Sequence, residues 1–225
     1  MIHGSEKTMS NETDAALKNS VQAELDWEPS VTSAHIGVAA RGGVITLSGH
    51  VQRFSEKHAA EAAVLRVKGV KAVAEEIEVK LPFDVKRGDD DIARAAIDRL
   101  AWDSTIPKDS VKVTVQNGWV TLTGEVGWRF EHEAAAQDVR SLWGVVGVSN
   151  QITLKPRVNT NNLTGDIAAA LHRSWFEPNG IKVVADGGRV TLTGQVKSWS
   201  ERELAGSTAW AAPGATDVEN DLIVA

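Results

Sequence analysis

The 225-residue chain has no cysteine and no tyrosine, only six prolines, and an aromatic content of 5%. Without cysteine there is no disulfide, no thiolate nucleophile and no Cys-ligated metal. No stretch approaches the roughly 18 consecutive apolar residues of a membrane-spanning helix. Positive charge is also short. A formal net charge of -6 lacks the basic surface needed for general binding to DNA or RNA phosphates. The first twenty residues contain no apolar run of signal-peptide length, and Met9 offers a second plausible start. The sequence as written therefore reads as soluble and cytoplasmic, or periplasmic if a signal peptide once preceded it.

Catalytic patterns are missing too. The six histidines (His3, His35, His50, His58, His132 and His172) form no H-E-x-x-H or similar ligand spacing. There is no nucleophile elbow, Walker loop or G-x-G-x-x-G. The sequence predicts a non-enzymatic protein with no catalytic residues, metal or cofactor.

What the chain does have is repetition. "GVITLSGHV" from Gly43, "GWVTLTGEV" from Gly118 and "GRVTLTGQV" from Gly188 are near copies. Superposing those glycines also aligns Glu56, Glu131 and Glu201, then Ala60, Ala135 and Ala205, then Gly69, Gly144 and Gly214, then Val73, Val148 and Val218. A tryptophan precedes each copy, at Trp27, Trp102 and Trp175. These three read as core residues at helix ends.

Periodicity assigns each unit its elements. Leu17, Val21 and Leu25, like Ile92, Ala96 and Leu100, recur every fourth residue, which predicts an amphipathic helix. Asp14 and Asp89 to Asp91 supply negative charge to its positive end. Val111, Val113 and Val115 alternate as in a strand, and Asn117-Gly118 signals a type I′ hairpin. A second strand follows, then a second helix near 130–143 and a closing strand. Ser198 and Glu201 have capping-box spacing, and the repeated glutamate is read as a cap rather than a catalytic acid. In the third copy Pro213 predicts an early end to the second helix.

The pattern G-x-V-x-L-x-G-x-V, followed by a helix and a "GV..V" strand, resembles the BON domain family of bacterial osmotically inducible and nodulation proteins. The expected architecture is α+β: three tandem α-β-β-α-β domains over 12–80, 88–156 and 162–225. Each is a three-stranded sheet with two helices on one face. The polar, proline-containing stretches "LPFDVKRGDDD" and "KPRVNTNNLTG" read as linkers between domains of restricted swing. The resemblance implies a stress-associated, transport-associated binding module at the cell envelope or periplasm. Its implied targets are anionic phospholipid or protein partners, with potassium or another small ion as the alternative.

The aromatic residues that depart from the repeat are the candidate site. Trp119 replaces Val44 and Arg189 on the outer strand face. Arg53 with Phe54, Trp128 with Arg129 and Phe130, and Lys197 with Trp199 stand where a strand leads into the second helix. An aromatic beside a cation suits a lipid headgroup zone or a protein hot spot. It equally suits packing between domains or between copies of the chain.

Overall fold

The computed structural model describes residues 3–82, 87–155, 162–173 and 180–224, with side chains described from Thr13 onward. The chain divides into two compact units, Met1–Lys86 and Arg87–Ala225. The first unit holds one copy of the repeat and the second holds two.

The first copy runs α1 (His3–Trp27), β1 (Ile36–Arg41), β2 (Val44–Val51), α2 (Phe54–Leu65), β3 (Ala72–Val79). The second runs α3 (Asp89–Trp102), β4 (Val111–Gln116), β5 (Trp119–Val126), α4 (Arg129–Arg140), β6 (Gly147–Leu154). The third runs α5 (Leu163–His172), β7 (Ile181–Asp186), β8 (Arg189–Val196), α6 (Trp199–Trp210), β9 (Asp217–Val224). Each copy builds its own three-stranded sheet with the "GxVxLxGxV" strand in the centre. That strand pairs antiparallel with its hairpin partner and parallel with the closing strand. A parallel pair needs a long crossover, and the second helix of each copy provides it.

Alternation along the central strand sets the two faces. Ile45 and Leu47, Val120 and Leu122, and Val190 and Leu192 are completely buried beneath the helices. Burying each such leucine contributes about 2–3 kcal/mol. The helices answer with Val21 and Leu25, Ile92 and Ala96, and Ile167 and Leu171, all nearly inaccessible to solvent.

Two turns explain the repeated glycines. Asn117 and Gly118 have φ of 50° and 77°, the type I′ geometry that their sequence predicts. At the strand exit, Gly124 has φ 138°, and a Cβ there would lie 2.1 Å from the Ser110 carbonyl oxygen. Gly49 and Gly194 meet the same obstruction, at 2.0 Å from the His35 oxygen and 1.8 Å from the Gly180 oxygen.

The structure corrects two sequence expectations. Trp27 and Trp102 are 82% and 88% exposed, not core. Each sits two residues beyond the last buried leucine, Leu25 or Leu100, and two helical residues turn the side chain about 200° away. Trp175 lies outside the described residues. The second correction concerns Pro213. Helix α6 spans 12 residues, as α2 and α4 do, because Pro213 falls in the turn beyond the helix end.

Candidate functional site

The glutamates shared by the three copies are buried, at 8–9% exposure, and each stands third in its helix. Their carboxylates turn back onto the backbone that enters the helix. Glu131 Oε2 accepts from the N–H of Gly127 at 2.7 Å and of Trp128 at 3.0 Å. Glu201 Oε2 accepts from Lys197 N–H at 2.7 Å, and its own N–H donates to Ser198 Oγ at 3.2 Å, the serine half of a capping box. Glu56 reaches further: Oε2 accepts from Gln52 N–H at 3.2 Å and Oε1 from Thr32 N–H at 2.7 Å. These are structural clamps that satisfy helix-terminal donors.

A second clamp escaped the sequence reading. Asp14 accepts from the Gly42 N–H at 2.9 Å, and Asp89 accepts from the Asn117 and Gly118 N–H groups at 2.8 and 2.9 Å. In the third copy Thr164 Oγ1 accepts from Ala185 N–H at 3.1 Å. Asp89 lies in the first turn of α3 as expected, but Asp14 lies well inside α1 rather than at its start, so its role is this hairpin contact and not charge at the helix end. The contact of either acid with a hairpin 28 or more residues away has no local signature.

With scaffold roles assigned, the differences between copies lie on the open sheet face. In the first copy the register places Ala39, Val44, Thr46, Ala72 and Ala74 there. In the second it places Trp119, Thr121, Thr123, Ser149 and Gln151. The Trp119 ring lies against Gly147, where a Cβ would come within 2.3 Å of it. Half of that indole remains exposed. In the third copy Arg189 pairs with Asp217 at 3.3 Å and with Glu219 at 3.7 Å.

The helix-entry aromatics divide into committed and presented groups. Trp128 and Phe130 stack with centroids 6.2 Å apart, and Phe130 is 56% exposed. Arg129 between them forms an ion pair with Glu133, and its guanidinium lies 4.6 Å from the Trp210 ring centroid. That contact crosses from the second copy to the third. Trp199 is half-buried and stacks under Arg202 at 5.0 Å, while Lys197 is exposed. Phe54 is half-buried and Arg53 exposed. Arg129 is therefore engaged within the protein, whereas the cation on the Trp199 ring is Arg202 and not the expected Lys197.

Ionisable groups add one irregular feature. Asp138 is 6% exposed; its Oδ1 accepts from Arg99 Nε at 2.8 Å and its Oδ2 has no hydrogen-bond partner. Burial pushes its carboxyl above the ordinary value, against the pull of Arg99. Among the described residues no group of three or more His, Asp or Glu side chains is arranged to hold a metal. Nor is any described helix long and apolar enough to cross a membrane.

Over 149 residues the chain is 28% identical to osmotically-inducible protein Y of Escherichia coli (strain K12), covering 63% of this chain and 73% of that protein. Two structures of CdsD, a structural protein of the type III secretion system of Chlamydia trachomatis, align at 14% identity. One, of the C-terminal domain, has a TM-score of 0.26, covering 93% of this chain and 97% of that one; the other scores 0.27, covering 93% and 92%. The BON domain profile matches residues 13–80, 88–156 and 159–225, and the chain belongs to the BON domain family.

Proposed function

We propose that this is a non-enzymatic, osmotic-stress-associated binding protein of the cell envelope whose partners are proteins rather than lipid surfaces. The observation that carries the choice is the engagement of Arg129 by Glu133 and Trp210 beside the exposed Phe130. A headgroup site needs a cation free to meet phosphate. A protein hot spot needs an aromatic anchor held rigidly, and stacking on Trp128 holds Phe130. The stress association is supported by the similarity to osmotically-inducible protein Y.

A photo-crosslinking amino acid at position 130, introduced in cells under osmotic upshift, tests this reading. Discrete protein adducts are expected. Co-sedimentation of the chain with phosphatidylglycerol vesicles at physiological salt, abolished by Phe130→Ala, would establish the lipid reading instead.

A further inference from the structure

Trp27 and Trp102 are large apolar residues shared by the first two copies that neither fill the core, permit a turn nor clamp a helix. The two indoles are 82% and 88% exposed, at matched positions. Burying so large a ring elsewhere contributes strongly to binding.

The surroundings of the two rings are alike. Each tryptophan is the last residue of its helix, α1 or α3. The unsatisfied carbonyls there carry partial negative charge. Asp26 and Glu28 flank Trp27; Asp103 follows Trp102, and Asp98 precedes it by four, one turn back on the same helix side. Arg66 pairs with Glu24 and Glu28, both at 2.9 Å, and leaves Asp26 uncompensated. Arg99 pairs with Asp138, though its charge also reaches Asp103, and it forms no ion pair with Asp98. Hydrogen bonds from Ser33 and Gln22 hold the Asp26 carboxyl below the usual carboxylate range, and the Thr105 N–H does the same for Asp103. Both acids therefore stay ionised. Indole face, helix end and carboxylates all attract a cation. The same combination repels anionic lipid and nucleic acid.

Building on the protein-binding reading above, we infer that the helix-end tryptophans of the first two copies are docking points for Arg- or Lys-rich segments of a protein partner. The indole stacks on a guanidinium or ammonium while the neighbouring carboxylates pair with it. Each site stands alone within its own copy.

The test uses the full chain and fluorescence polarisation of dye-labelled octa-arginine, with octa-glutamate as the control. Saturable binding of octa-arginine alone is expected. It weakens about fivefold or more in Trp27→Ala/Trp102→Ala, from cation–π loss at two exposed sites. Asp26→Asn/Asp103→Asn weakens it as well, and circular dichroism of both variants matches the parent. Absence of saturable binding overturns the inference. So does equal binding by the double tryptophan variant, which would reduce the attraction to the net charge of -6. Phosphatidylglycerol vesicles retained through these same tryptophans would also overturn it. Adducts at position 130 that persist in the double tryptophan variant keep the broader protein-binding reading separate from this one.

Discussion

Glu131 Oε2 lies 2.7 Å from the backbone nitrogen of Gly127, four residues before it, and the equivalent bonds join Glu201 to Lys197 and Glu56 to Gln52. One carboxylate per copy thus fixes the angle at which the central strand enters the second helix. Replacing Glu131 by alanine leaves the part-buried Gly127 and Trp128 N–H groups without this acceptor and costs about 1–2 kcal/mol. Glu131→Gln keeps one acceptor oxygen and costs less. Urea denaturation followed by circular dichroism measures both.

The strand-exit glycine is a harder constraint. Gly124→Ala drives a Cβ into the Ser110 carbonyl at φ 138°. The backbone must shift or unpair, at a cost of at least about 2 kcal/mol. A Gly42→Ala variant is the comparison, because nothing lies within 4 Å of its added Cβ. It pays only for positive φ, about 1 kcal/mol. Thermal unfolding of the two should rank them in that order.

The tryptophans should separate by role. Trp27→Ala and Trp102→Ala remove rings that touch little and should change stability by no more than about 0.5 kcal/mol. Trp119→Ala uncovers Gly147 at the first rung of a parallel pair and should cost about 1 kcal/mol, since aromatic cover compensates a strand glycine. Denaturation midpoints of the three single variants check this ordering.

Asp138 sets a pH dependence with a definite sign. Its folded carboxyl holds its proton more tightly than the ordinary value of 3.8 allows. The folded state therefore binds more protons than the unfolded state in the window above 3.8, and stability falls as pH rises through it. Asp138→Asn has no proton to bind there and lacks this pH dependence. The unfolding midpoint of Asp138→Asn relative to the parent should rise as pH increases from about 4 to about 7. A relative midpoint that falls over that range would show that the Arg99 ion pair outweighs the burial.

The sequence displayed the scaffold because scaffold residues answer to local rules repeated three times. Asn117-Gly118 dictates its turn, Ser198 and Glu201 their cap, and Ile92, Ala96 and Leu100 their buried stripe. Helical phase places Trp27 and Trp102 opposite Leu25 and Leu100, so hydrophobic identity alone does not bring them into the core. The Asp89 bond to the Asn117–Gly118 hairpin, the Thr32 bond to Glu56 and the stacking of Arg129 on Trp210 join residues 24 to 81 positions apart. No periodicity carries such pairings. They are consequences of the assembled fold, and the residues that carry them differ between copies.

Native-state hydrogen exchange on the parent and on Glu131→Ala tests the scaffold role of the shared glutamates most directly. The amides of Gly127 and Trp128 should lose protection, with the unfolding midpoint lowered. Unchanged exchange at both amides and an unchanged midpoint would contradict the account, leaving the thrice-repeated carboxylate without a structural task.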